Sequence, residues 1–84
     1  MIYKTTPDFW DCYHVLPKDI QNLADKNFAL LKTNLHHPSL HFKVVREGLW
    51  SVRVGKKYRS LASEDGEDLL WFWIGSQAEY DRII

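Results

Sequence analysis

Two arginines in the second half of the chain, Arg53 and Arg59, have the types and spacing best suited to chemistry. They lie in two segments of alternating pattern joined by a short turn at residues 55–57, and pairing across that turn would bring both guanidinium groups to one face of a sheet. Facing cations are unfavourable unless an anion lies between them, and the guanidinium fork binds phosphate oxygens in a bidentate way. The pair indicates a phosphate site, although two solvated arginines, or arginines paired with Glu79 or Asp81, fit the same spacing.

Charge is segregated along the chain, although its 11 basic and 11 acidic residues cancel. The total therefore gives no argument for nucleic-acid binding. Locally, however, Glu47 is the only acid between residues 43 and 59, and the cations there are Lys43, Arg46, Arg53, Lys56, Lys57 and Arg59. Together with Tyr58 they predict a basic and aromatic surface of the kind that binds single-stranded RNA.

Metal and thiol chemistry have weaker support. His36, His37 and His41 lie close together, but their spacing matches no zinc pattern and the single cysteine, Cys12, is distant in sequence. We interpret the histidines as loop residues near a proline. Cys12 falls in a predicted helix among aromatic residues, where a buried thiol is usually inert. We therefore expect no metal and no other cofactor.

The first half of the chain predicts two helices. Thr6-Pro7 is typical of a helix start, and apolar residues at helical spacing continue to about Leu16, before Pro17. A second helix of period 3.6 runs from Pro17 to about Thr33, and residues 34–39 form a loop. A short strand over residues 2–5 is also expected. The result is a helical hairpin.

The second half changes to a period of two residues. Strands are predicted over residues 50–54, 58–63 and 69–74, and a further strand over 40–45 fits the alternation of Leu40, Phe42 and Val44 with His41, Lys43 and Val45. Residues 76–84 form a tail with room for a helical turn. We predict an α+β fold in which the N-terminal helical hairpin packs on one face of a small antiparallel sheet and leaves the other face open.

The whole chain, residues 1–84, is interpreted as one domain, because its length leaves room for no second core. No signal peptide is recognised at the N-terminus. The longest apolar run, Leu69–Ile74, is far shorter than the roughly 20 residues of a membrane helix, so no membrane association is expected. A lone cysteine agrees with a reducing compartment, and we expect a cytoplasmic protein.

Several segments of the chain resemble toxins of the RelE/ParE superfamily. The segments that carry the resemblance are Leu40–Lys43, Leu49–Gly55, Tyr58–Leu61 and Trp71–Gly75. A helix that begins with Phe9-Trp10 and a Trp-Ile-Gly segment followed by Glu79-Tyr80 resemble one short branch of that superfamily in particular. The resemblance covers nearly the whole chain and implies two helices packed on an antiparallel sheet, in agreement with the fold predicted from periodicity.

The resemblance also implies a function. It implies a toxin neutralised by an antitoxin protein, and many such toxins cut mRNA on the ribosome without a metal, through attack of a 2′-hydroxyl on the adjacent phosphate. Arg53 and Arg59 would hold that phosphate, and Tyr80 would stack on the substrate or position it. The candidates for further contacts with RNA or phosphate are Lys43, Lys56, Lys57 and Gln77.

Gln77 departs from the pattern of the superfamily, which usually has His or Arg near this point. Glutamine neither donates a proton as an acid nor carries charge, and Glu79 is then the candidate base. Three functions stay open: a ribosome-associated mRNA endonuclease, a toxin without nuclease activity that acts on DNA gyrase, and a degenerate member that only binds its antitoxin or nucleic acid.

Overall fold

The computed structural model describes residues 2–84. These residues form one five-stranded sheet in the order β1-β5-β4-β3-β2 and three α-helices. In chain order the elements are β1 (Tyr3–Thr5), α1 (Pro7–His14), α2 (Lys18–Thr33), a single 3-10 turn (Pro38–Leu40), β2 (Lys43–Arg46), β3 (Leu49–Val54), β4 (Tyr58–Asp65), β5 (Asp68–Ser76) and α3 (Gln77–Ile83). The predicted α+β class, with a helical hairpin before the main strands, is confirmed.

The start of α1 is stabilised as its sequence predicts. Thr6 is the N-cap, its hydroxyl accepts a hydrogen bond from the Phe9 amide at 3.1 Å, and Pro7 takes the first helical position. The helix ends at His14, slightly before the predicted end at Leu16. Because Leu16 precedes Pro17, its backbone is disfavoured in the helical region and the chain turns away early.

The sheet is mixed rather than wholly antiparallel. Strands β2 to β5 form an antiparallel meander, whereas β1 pairs with β5 in parallel, Tyr3 opposite Leu69. Parallel strands need a long connection, which the helices and the meander supply here. Asp68 holds the start of β1, because its carboxylate accepts the Ile2 amide proton at 2.8 Å and lies 3.5 Å from the Lys4 ammonium.

The main core lies between the sheet and the helical hairpin. Aromatic rings meet edge-on across it, with centroids 5.6 Å apart for Phe9 and Phe28 and 5.2 Å apart for Phe28 and Trp71. From the helices and strands, Ala24, Leu31, Val52 and Trp71 are among the buried side chains. These strand residues alternate with side chains that point to the opposite face of the sheet.

The opposite face of the sheet was predicted to be open, but α3 covers part of it. Leu61 and Ser51, which alternate with core residues, are 0% and 1% exposed, and Tyr80 of α3 is 8% exposed. The end of the helix reaches towards the sheet edge, where the Arg46 Nη2 donates to the Ile84 carbonyl at 3.1 Å. The predicted tail is therefore a helix that closes part of the basic face. No helix among residues 2–84 has the length and apolar character needed to cross a membrane.

Candidate phosphate-binding site

Arg53 and Arg59 are direct partners across the β3–β4 ladder. Directly opposed residues of an antiparallel pair project to the same face, so the predicted juxtaposition is confirmed. The turn between them contains Gly55 in the left-handed conformation, with φ of 67°. A side chain there would also collide with Leu23 of α2, so glycine satisfies both the turn and the close approach of the helix.

Arg59 is half-buried under α3. Its guanidinium carbon lies 5.9 Å from the centroid of the Tyr80 ring, within the range of a cation–π contact. Burial lowers the pKa of Arg59, and the charge of Arg53 lowers it further, while Tyr80 and Asp81 act in the opposite direction. An anion bound between the two arginines would offset both burial and the charge of Arg53, the two effects that lower the pKa of Arg59.

Two guanidinium nitrogens of the pair are buried without a hydrogen-bond partner in the described part of the chain. They are the Nε of Arg53 and the Nη1 of Arg59. Neither Glu79 nor Asp81 forms an ion pair with either arginine within residues 2–84. Buried donors normally find an acceptor, so these two indicate a ligand that supplies one.

The face around the arginines carries a second aromatic side chain. Trp73 is the cross-strand partner of Leu61 and therefore shares a face with Arg59. Its indole lies directly over Gly75, the partner of Arg59, because a β-carbon built on Gly75 would overlap the indole Cζ2. Glycine at this position leaves room for the ring over the backbone that pairs with Arg59.

Tyr58 does not belong to this surface, in contrast to the sequence interpretation. It precedes Arg59 in β4 and so points to the opposite face, where it packs against the core. Strict alternation along β4 would have shown this from the sequence. The aromatic side chains beside the arginines are Trp73 and Tyr80, from the strand and helix that follow.

The lysines predicted to contact RNA lie around the arginines and are exposed. Lys43 pairs with Ser51 in β2 and β3 and projects to the same face as Arg53. Lys56 and Lys57 lie in the β3–β4 turn, and Lys56 lines a cavity of about 250 Å³ beside Arg53. The remaining residues around that cavity are Leu23, Asn27, Ser39 and Gly55.

Gln77 and Glu79 lie in the first turn of α3. The backbone amide of Gln77 donates to the Lys57 carbonyl at 2.7 Å, and its side-chain amide donates to the Asp81 carboxylate at 2.9 Å. Glu79 forms a capping box with Ser76, accepting its amide proton at 3.1 Å and its hydroxyl proton at 3.0 Å. Both bonds end on Oε1 of Glu79, and they lower the pKa of its carboxyl group.

His41, which was predicted to be a loop residue, adjoins the site. Nε2 of His41 lies 3.1 Å from Nη1 of Arg53. The register of β2 and β3, Lys43 opposite Ser51, places residue 41 opposite Arg53 when it is continued by two residues. The predicted strand over residues 40–45 puts His41 on the same face as Lys43, which is the part of this signal that the sequence contains. Within residues 2–84, no group of three or more His, Cys, Asp or Glu side chains is placed to hold a metal ion.

Comparison with known proteins agrees with the fold. Residues 18–82 match the family model described as a ParE-like toxin domain. No curated protein matches the sequence significantly. YafQ from Escherichia coli strain BL21(DE3) has a similar structure, with a TM-score of 0.74 and 16% identity over 94% of this chain and 96% of that one.

Two structures of toxin–antitoxin complexes are similar as well. RelB–RelE from Methanococcus jannaschii has a TM-score of 0.72 and 15% identity, covering 96% of this chain and 99% of that one. RelBE2 from Mycobacterium tuberculosis has a TM-score of 0.64 and 22% identity, covering 89% and 95%. At these identities the likeness concerns the fold.

Proposed function

The chain belongs to the ParE-like toxin domain family, and from that premise we propose that it is a toxin that cuts mRNA on the ribosome. The observation that supports nuclease action is the cross-strand pair Arg53–Arg59, with two buried guanidinium nitrogens that find no acceptor among residues 2–84. A phosphate diester of RNA has the charge and the oxygen atoms to complete this arrangement.

The proposed reaction is transfer of the phosphate to the neighbouring 2′-hydroxyl. The 2′-oxygen bonds to phosphorus and the bond to the 5′-oxygen breaks, which leaves a cyclic phosphate and a 5′-hydroxyl. Negative charge grows on the phosphate oxygens during attack, and cations fixed in place before the reaction stabilise that charge. Arg53 and Arg59 take this role, and burial strengthens their field at the phosphate.

The aromatic side chains and lysines around the arginines supply binding. Trp73 is half-buried beside Arg59 and offers a ring to an unstacked base, whereas the ring of Tyr80 holds the guanidinium group of Arg59 in position. Lys43, Lys56 and Lys57 are exposed and extend positive charge along the path of the RNA backbone.

An antitoxin protein is the proposed partner. Support comes from the family and from the two similar structures, which are complexes of a toxin with an antitoxin. Co-expression of this chain with the protein encoded beside it tests the proposal. A stable complex that restores growth is expected, and failure of that neighbour to bind or protect would contradict it.

Addition of the purified protein to a translating extract tests the nuclease. We expect cut mRNA with wild type and about a 100-fold or greater loss of cutting with Arg59→Ala, because the loss of one transition-state donor has an effect of this size. Lys26→Ala is the matched control, since Lys26 is an exposed cation of α2 on the other side of the sheet. Urea unfolding of each variant verifies its fold.

The alternatives give different results in the same experiment. Intact mRNA at an excess of wild-type protein would contradict the nuclease. DNA breaks that depend on gyrase, without loss of mRNA, would assign the gyrase-directed function. Normal growth during expression of a folded protein would indicate a member that only binds its antitoxin or nucleic acid.

A further inference from the structure

His41 completes a row of side chains across the sheet. Residue 41 continues the β2–β3 register opposite Arg53, Arg53 pairs with Arg59, and Arg59 pairs with Gly75. Its imidazole is in hydrogen-bond contact with Arg53, at 3.1 Å between Nε2 and Nη1. The row therefore contains two guanidinium groups, which only donate hydrogen bonds, and one imidazole, which has a nitrogen able to accept a proton.

The backbone of His41 has an unusual conformation. Its φ is 45°, and it is the only residue other than glycine with positive φ within residues 2–84. It follows the 3-10 turn directly, and its amide donates to the Pro38 carbonyl at 3.3 Å. Residues other than glycine rarely adopt this backbone conformation, and residues that do are concentrated at functional sites. Here it turns the imidazole towards Arg53.

The contact with Arg53 defines the state of the imidazole. A guanidinium group only donates hydrogen bonds, so Nε2 of His41 must be the acceptor and its proton must lie on Nδ1. A phosphate bound between the arginines would compete for the Nη1 donor of Arg53. Nε2 would then be released as a free acceptor at the edge of the bound phosphate.

We propose that His41 is the general base of the nuclease reaction, an inference that rests on the proposed function. Neutral His41 accepts the proton of the attacking 2′-hydroxyl at Nε2 as the 2′-oxygen bonds to phosphorus. The bond to the 5′-oxygen breaks, and that oxygen takes a proton from water. The imidazolium then returns its proton to solvent. Histidine is the side chain most often used for such transfer.

This role accounts for the two residues at the start of α3. The bonds from Ser76 hold one carboxylate oxygen of Glu79 and lower its pKa, which makes it a weaker base, and the side-chain amide of Gln77 is not basic. His41 approaches from the opposite edge of the row. The charged groups that face it are Arg53 on β3 and Lys43 on β2, with Arg59 one strand further.

His41→Asn tests the proposal, since asparagine tolerates positive φ better than most residues and has no titrating group. We expect a 100-fold or greater fall in the single-turnover rate of mRNA cutting in the extract, within the usual range for a lost general base. The cutting rate of wild type should depend on pH, as expected for proton transfer to a base, and His41→Asn should lose this dependence. Added imidazole should restore part of the rate.

Binding is measured separately with a 2′-deoxy oligonucleotide that cannot be cut. His41→Asn should bind it within about threefold of wild type, and the oligonucleotide should shift the ¹⁵N NMR signal of His41 Nε2 in wild type. His14→Ala, in an exposed histidine of α1, is the control and should leave rate and binding unchanged.

The outcomes separate this inference from the proposed function. Cutting by wild type with His41→Asn within threefold of its rate would overturn the role of His41 and leave the nuclease intact. An unchanged Nε2 signal with bound oligonucleotide would also overturn it. Absence of cutting by wild type would overturn both.

Discussion

The guanidinium carbon of Arg59 lies 5.9 Å from the centroid of the Tyr80 ring, and this contact joins the sheet to the C-terminal helix. Tyr80 is 8% exposed, so its ring covers Arg59 and the neighbouring face rather than standing in solvent. The position of α3 and the burial of the arginine pair therefore depend on each other. Substitutions in either element should affect both stability and binding.

Two replacements of Tyr80 distinguish the contribution of its ring to stability from that of its hydroxyl. Tyr80→Ala should lower the free energy of unfolding by about 3 kcal/mol, because truncation of a buried aromatic side chain leaves a cavity. Tyr80→Phe keeps the ring and should lie within about 0.5 kcal/mol of wild type, as no hydrogen bond of the Tyr80 hydroxyl is formed within residues 2–84. Urea unfolding at neutral pH measures both, and equal losses would show that the ring has no stabilising role.

Gly75 permits the position of the Trp73 indole. Gly75→Ala should destabilise the protein by about 1–3 kcal/mol, because the added methyl overlaps the indole ring and forces it to move. The fluorescence of the tryptophans should change at the same time. Gly66→Asn is the control, since residue 66 has φ of 63° and open space around it. Wild-type stability in Gly75→Ala would contradict this packing of the indole on residue 75.

The capping box of α3 predicts that the free energy of unfolding depends on pH. Hydrogen bonds from Ser76 lower the pKa of Glu79 in the folded protein, so the ionised carboxylate stabilises the fold. This contribution is complete above the pKa of glutamate in the unfolded chain, about 4.3, and is lost as the pH falls through the lower folded value. Glu79→Gln should therefore be less stable than wild type at pH 7, and the difference in the free energy of unfolding should shrink at acidic pH.

Urea unfolding at pH 7 and at the lowest pH where the protein stays folded measures this difference. Glu67→Gln, in an exposed carboxylate of the β4–β5 turn, is the control. A gap between wild type and Glu79→Gln that widens towards acidic pH would contradict a stabilising role of the ionised carboxylate.

Lys43 provides a test of the path of the RNA backbone. Lys43→Ala should weaken binding of a single-stranded 2′-deoxy oligonucleotide and reduce the slope of log affinity against log salt by about 0.7, the value for one phosphate contact on a single strand. Lys26→Ala, on α2, should leave the slope unchanged. Equal slopes for wild type and Lys43→Ala would remove Lys43 from the path.

Local signals predicted much of the fold and of the site. The Thr6-Pro7 start of α1 and the short turn between Arg53 and Arg59 specify their own geometry, because each depends on residues close in sequence. The Ser76 to Glu79 spacing also contains a capping-box signature, from which a full α3 could have been expected.

Other features depend on contacts distant in sequence. The pairing of Tyr3 with Leu69 has no local pattern, because β1 contains only three residues and its partner lies across the whole meander. Likewise, the approach of His41 to Arg53 needs both the β2–β3 register and the left-handed backbone at residue 41. Periodicity puts His41 and Lys43 on one face, but it contains neither the register nor the left-handed backbone.

The parallel pairing of β1 with β5 also constrains the order of events during synthesis. Strand β1 is synthesised early, but it cannot pair until residues 68–76 of β5 have been synthesised. The contact of Tyr80 with Arg59 forms later still, because Tyr80 follows β5 in the chain. Contacts between distant parts of a chain form slowly, and they cannot form before both parts have left the ribosome. Nascent chains that end before β5 should therefore lack both the docked first strand and the covered arginine pair.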